Sequence, residues 1–224
     1  GATYDSKGEL MFISNDVDYN AFIPLSASEA ILYTAFEGAT RKGVSGISRL
    51  RLQRDKGVLE FIEAASKLIE SGLKAKFILV GMIDDQNPSA IEKKKIEEWE
   101  NEGIIIWLGH QSNMPTILKD AHIVCLPSYR EGLPKVLLEA ASCGRPIVAT
   151  DVPGCREIVI HGYNGYLVPV MDSDMLSKCL HELIINKALR QEMGLKGREL
   201  VENNFSINIV IEKTISLYDI MENN

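Results

Sequence analysis

Residues 122–150 read "HIVCLPSYREGLPKVLLEAASCGRPIVAT". The runs HIVCLP and PIVAT at its two ends are short and apolar without alternation, the pattern of strands covered on both faces. Between them, PKVLLEAASCG has a proline in its first turn, Pro134, and a glycine at its end, Gly144. That asymmetry marks a helix. Strand, helix and strand within about 30 residues make a parallel crossover unit.

The alternation continues on both sides. GVLEFIEAASKLIESG places apolar residues at Val58, Phe61, Ile62, Ala65, Leu68 and Ile69, with a glycine stop at Gly72, which is helical spacing. KFILVG, IIIWLG and GYLVP read as further strands. MPTILKDA reads as a short helix, and PSAIEKKKIEEWENEG as a polar helix opened by its proline; two or three helices close the chain. The expected fold is α/β: a Rossmann-like, doubly wound parallel sheet. Residues 1–30 have weak periodicity and many turn formers, so they are expected to be a linker or the remnant of another domain. Residues 31–224 are expected to form one domain. The segment after Glu37 is broken by Gly38, Arg41, Lys42, Gly43 and Gly46, which leaves the first strand unplaced.

The 224 residues are 46% hydrophobic and 25% charged, an ordinary globular composition. A net charge of -7 argues against sequence-independent nucleic-acid binding, which calls for a basic surface. Cys125, Cys143, Cys155 and Cys179 form no CxxC pair. That argues against a metal or disulfide framework and for a reducing compartment. His122, His161 and His181 have no metal-ligand spacing, and no metal is expected. No apolar run approaches the roughly 18 residues of a membrane span. The sequence opens on GATY rather than Met, hence an expectation that it is a fragment or a processed form.

In open α/β sheets, ligands bind beyond the carboxyl ends of the strands. Glu131 follows HIVCLP and precedes a helix whose first amides, at Lys135 and Val136, make an anion site. Gly132 lets the backbone approach a ligand. Glu139 stands eight residues on, about 7–8 Å along the helix axis from the helix start at Pro134. An inverting glycosidase pair has carboxyl groups about 6.5–9.5 Å apart, so spacing alone admits one. However, a carboxylate within a helix facing a sheet is badly placed to activate water. Two carboxylates that each accept bonds from vicinal hydroxyls, with a phosphate on the helix end between them, match a nucleotide sugar. The plainer alternative is that Glu131 caps the helix and Glu139 is a surface residue; spacing does not decide between them. Gly81 and Gly109, with His110, follow two other strands, where a base and ribose would rest. His110 by itself reads as a loop histidine rather than a catalytic base. Tyr129 reads equally as pocket lining or as packing.

The segment resembles the E-x7-E signature of family 4 glycosyltransferases, carried on the carboxy-terminal half of a GT-B fold. "RLQRDKGVLEF", the run from Trp107 to Val159, "HGYNGYLVP" and "FSINIVIEKTISLY" are similar to that family in the same order, and "ISNDVDYNAF" resembles the segment leading out of its first domain. The resemblance implies a retaining enzyme of surface-glycan synthesis, of the capsule or O-antigen type. It would move a hexose or N-acetylhexosamine from a UDP-sugar to a glycan or lipid-diphosphate-linked acceptor. That acceptor would be held by an amino-terminal domain absent here, so this chain alone would not transfer sugar. The resemblance also implies roles. Glu131 contacts the sugar hydroxyls and Glu139 the ribose. The amides of Gly132 and Leu133 approach the sugar, and those of Lys135 and Val136 the diphosphate. Lys56 of "DKG" neutralises the leaving phosphate with an arginine. Arg51 has the usual spacing of five to Lys56, while Arg49 better fits the end of a strand; both stand. No cofactor is implied beyond the donor itself. The expected location is cytoplasmic, peripheral to the inner membrane. A nucleotide-sugar epimerase of the same half-fold and a binding-only module are the competing readings.

Overall fold

In the computed structural model, residues 2–4, 10–13, 30–35, 52–83, 87–111 and 114–206 are described, with 209, 211, 215 and 216. Two strands, β1 (Ala2–Tyr4) and β2 (Leu10–Ile13), pair antiparallel within the stretch expected to be a linker or remnant. The main sheet contains β3 (Ala30–Ala35), β4 (Ala75–Val80), β5 (Ile106–Gly109), β6 (Ile123–Leu126), β7 (Ile147–Thr150) and β8 (Gly165–Val168). Every pairing in it is parallel, and the order is β5-β4-β3-β6-β7-β8. Counted from β3, this is the dinucleotide-fold order, which reverses between its first and fourth strands. The switch point therefore lies between β3 and β6, and a crevice opens there beyond their carboxyl ends.

The helices are α1 (Val58–Glu70), α2 (Lys93–Asn101), α3 (Met114–Asp120), α4 (Lys135–Ser142), α5 (Pro153–Arg156), α6 (Ser173–Ile185) and α7 (Lys187–Phe205). α1 buries Val58, Phe61, Ile62, Ala65 and Leu68 of the stripe read from the sequence, together with Ala64, and leaves Ile69 half-buried. Phe61 meets Phe77 of β4 edge-on, ring centres 6.0 Å apart. Such a pair adds about 0.5–1.5 kcal/mol beyond its buried area. β6 and β7 are buried at every position, as their unbroken apolar runs require. α7 packs on α4, and the buried Arg198 guanidinium donates to the Ser142 carbonyl at the end of α4 and to Glu202. All four cysteines are buried free thiols. Among the described residues, no helix is long and apolar enough to cross a membrane.

Two elements differ from the sequence reading. The polar helix begins at Lys93, not at its proline. Ile91 is 3% exposed and its amide donates to the Leu52 carbonyl at 3.0 Å, while Ala90 bridges Gln53. Burying one apolar side chain holds this segment extended and delays the helix. The first strand, which the sequence left unplaced, is AILYTA at the centre of the sheet. The glycine-broken stretch follows it, and 36–51 lie outside the described residues. Arg49 and Arg51 fall there.

Candidate functional site

The loop from β6 to α4 enters the switch-point crevice and is gripped from two sides. Gly57, at φ +72°, lies so close to the loop that a Cβ there would stand 2.1 Å from the Pro127 carbonyl oxygen. Gly154, in α5, lies on the other side, where a Cβ would stand 2.2 Å from the Gly132 oxygen and 2.5 Å from that of Glu131. Only glycine permits either approach. The Thr150 hydroxyl, at the end of β7, donates to the Ser128 carbonyl. The Tyr129 amide donates to the Asp55 carbonyl at 2.8 Å.

These contacts bring together two groups distant in sequence. Lys56 Nζ donates to Glu131 Oε1 at 2.7 Å, and the two side chains are 15% and 10% exposed. A charge-assisted bond of this length in a partly desolvated place is strong. α4 begins beside it. Pro134 occupies the cap position and gives no side-chain bond to the first-turn amides, so the helix end presents backbone N–H groups and partial positive charge. Lys135 is exposed and the Val136 side chain buried; Glu139 is half-buried in the second turn. Gly132 and Leu133 are exposed, and a Cβ on Gly132 would meet nothing within 4 Å. Packing therefore does not demand that glycine, and the space above it is open to a ligand.

A second group forms at the ends of β4 and β5. The Gly81 amide donates to the Gly109 carbonyl at 2.9 Å, and the Trp107 indole donates to the Gly81 carbonyl at 2.8 Å. His110 follows, with both ring nitrogens buried and no hydrogen-bond partner among the described residues. Such groups cost about 1–3 kcal/mol each until a partner arrives.

Tyr129 turns its hydroxyl to Glu60 Oε1 at 2.5 Å, and Arg130 reaches Asp55 Oδ2 at 3.3 Å. Burial, then the bond to Glu60, pushes the Tyr129 phenol well above its ordinary range. Burial, with the Glu131 carboxylate nearby, raises the Cys155 thiol to about 12. This cysteine is inert as a nucleophile at neutral pH. Among the described residues, no cluster of three or more His, Cys, Asp or Glu is placed to hold a metal ion. Of the sequence candidates, Lys56, Glu131 and the start of α4 thus share one crevice, and Gly81, Gly109 and His110 share the ends of β4 and β5. Sequence reasoning missed the roles of Gly57, Gly154, Thr150 and Glu60. Only Gly154 left a signal, a Pro-Gly pair separated by two residues from the strand before it.

A family model described as "Glycosyl transferases group 1" matches residues 47–200. The chain belongs to this family. Among group 1 relatives, a capsular polysaccharide biosynthesis glycosyltransferase, CapM, of Staphylococcus aureus is 28% identical over 169 residues, 75% of this chain and 44% of the relative. The N,N'-diacetylbacillosaminyl-diphospho-undecaprenol alpha-1,3-N-acetylgalactosaminyltransferase of Campylobacter jejuni is 35% identical over 164 residues, 73% of this chain and 41% of the relative. The chain thus spans less than half the length of either. A crystal structure of a mutant of S. aureus TarM, in complex with fondaparinux, alpha-GlcNAc-glycerol and UDP, superposes with a TM-score of 0.71 at 22% identity, over 92% of this chain and 37% of that one. That likeness shows the shared GT-B half-fold.

Proposed function

We propose that this chain is the donor-binding half of a retaining, family 4 glycosyltransferase that moves a hexose or N-acetylhexosamine from a UDP-sugar to a glycan or lipid-diphosphate-linked acceptor. The observation that carries this reading is the Lys56–Glu131 pair at 2.7 Å in the switch-point crevice, beside the amino terminus of α4. A nucleoside diphosphate meets there one fixed cation, one helix end and two carboxylates able to accept from hydroxyls. Glu131 takes the sugar hydroxyls and Glu139 the ribose. The amides of Gly132 and Leu133 lie along the sugar, and those of Lys135 and Val136 along the diphosphate. The base rests by Gly81, Gly109 and His110, where the imidazole finds a partner that it lacks among the described residues. Arg51 or Arg49 adds a second cation.

The acceptor hydroxyl attacks the anomeric carbon on the face from which the diphosphate leaves. The carbon–oxygen bond to the phosphate breaks with its electron pair on that oxygen, and the hydroxyl proton leaves with the diphosphate. Negative charge grows on the leaving group as the bond lengthens. Lys56, the arginine and the helix end interact more strongly with that increment than with the ground state, and only such differences speed the chemistry.

In this reading, residues 1–30 link to an acceptor-binding domain and 31–224 hold the donor. The capsular polysaccharide synthesis in the name of CapM and the undecaprenol-linked acceptor in that of the C. jejuni enzyme support a surface-glycan acceptor. In this reading the whole enzyme works at the cytoplasmic face of the membrane. UDP in the TarM complex supports the uridine donor. Calorimetry of this chain with UDP, GDP, ADP and UDP-sugars tests the reading. The expected result is weak binding of UDP or its sugars, without sugar transfer, and loss of that binding in Lys56→Ala. Binding of none of these nucleotides, or binding indifferent to Lys56→Ala, overturns it.

A further inference from the structure

We infer that Tyr129 and Glu60 form a positioning clamp that sets Lys56 against Glu131. This rests on the reading above, in which those two groups receive the donor. Lys56 lies between two residues that the β6–α4 loop touches directly: the Asp55 carbonyl accepts from the Tyr129 amide at 2.8 Å, and Gly57 abuts the Pro127 carbonyl. Those contacts are backbone only and fix how close the two segments lie. Gly154 against the Glu131 and Gly132 carbonyls and the Arg130–Asp55 pair limit the rotation of the loop about its own axis without fixing it, and that remaining freedom decides where Glu131 points.

The Tyr129 side chain removes that freedom. Its hydroxyl donates to Glu60 Oε1 at 2.5 Å, in the first turn of α1. The anchor therefore sits on a rigid helix rather than on a second loop. Glu60 Oε2 is buried with no hydrogen-bond partner among the described residues, so the carboxylate is committed to Tyr129. Burial, then the bond to Glu60, holds the phenol above its ordinary range, so it is a donor at neutral pH. Glu131, two residues beyond Tyr129, thereby takes its direction from α1, the helix that opens just after Lys56. The clamp touches neither donor nor acceptor and acts only through the pair it aligns.

The test reads Lys56 without any donor. Lysines of the purified chain are 13C-dimethylated, and the Lys56 resonance is assigned by its disappearance in Lys56→Arg. Glu131→Gln gives its position when the ion pair is lost. Tyr129→Phe and Glu60→Ala are expected to move the resonance most of the way to that position. Glu60→Gln keeps an acceptor oxygen and is expected to leave it near wild type. If Tyr129→Phe fails to fold by circular dichroism, Tyr129→Phe/Glu60→Leu, which removes both polar ends, replaces it with the same expectation. A folded variant lacking the clamp with Lys56 unmoved, or Glu60→Gln as disruptive as Glu60→Ala, overturns the inference. A parallel UDP-sugar titration separates the two readings. Absence of donor binding by the wild type counts against the proposed function, while the Lys56 resonance decides the clamp.

Discussion

Lys56→Ala removes the ammonium from a pair whose members are 15% and 10% exposed and leaves the Glu131 carboxylate without its partner. At 2.7 Å and an effective dielectric constant of about 20, the gross attraction is about 6 kcal/mol. Desolvation offsets much of it, and breaking such a pair by removing one partner costs about 3–5 kcal/mol. Residual exposure puts this pair at the lower end, about 3 kcal/mol. For a domain of this length, that corresponds to a fall in Tm of about 6–12 °C. Glu131→Ala should cost less, about 2 kcal/mol, because the lysine stem lets its charge reach water. In Lys56→Ala/Glu131→Ala neither charge is stranded, so the double variant should be more stable than the sum of the singles predicts. The expected coupling is about 2 kcal/mol. Urea and thermal melts of the four proteins complete the cycle. Single losses that add to within about 0.5 kcal/mol would show two independently solvated charges and refute the picture of a desolvated pair.

Three further outcomes follow from the geometry. Gly154→Ala forces a Cβ to 2.2 Å from the Gly132 oxygen; it should displace the Glu131 loop and abolish UDP-sugar binding while far-UV circular dichroism stays native, and retained affinity would refute the grip assigned to this glycine. Glu139→Ala should weaken UDP by about 1.5–3 kcal/mol, the worth of a bond to a charged group, whereas Glu131→Ala should chiefly weaken the UDP-sugar; calorimetry showing equal losses for both ligands in Glu131→Ala would end the division of roles. Burial, aided by Arg190, Arg145 and Lys187, lowers the His122 imidazole to about 4. The unfolded chain binds the proton at its ordinary value of about 6.5 while the folded chain resists it, so stability is full above that pH and falls by about 3 kcal/mol as pH drops toward 4. His122→Gln should flatten this slope in urea midpoints taken from pH 7 to 4.5, and an unchanged slope would mean that His122 does not titrate differently on unfolding.

The buried strands β4, β6 and β7 and the amphipathic α1 were legible because one interaction, apolar burial, dominates each of them. α2 was misplaced at its start because Ile91 is used to dock an extended segment, and tertiary packing outweighs the helix-opening proline. β3 escaped notice because AILYTA is short and stands ahead of a glycine-broken stretch that drew attention away from it. In the site, Glu131, Glu139 and Lys56 could be named from spacing and resemblance. The meeting of Lys56 with Glu131 could not, since it depends on how the loop after β6 docks against the turn before α1. Gly57 and Gly154 owe their place to backbone contacts with partners far away in sequence; the Pro153-Gly154 pair marks a break in the chain but not the contact that Gly154 makes.

The pair at the centre of the crevice joins residues 75 positions apart, and β3 must take its place between β4 and β6 before the two ends can meet. Closing so long a loop costs entropy that is recovered only when the strands have docked. Helical content should therefore return early in refolding, while the Lys56–Glu131 pair forms only in the final, slowest phase.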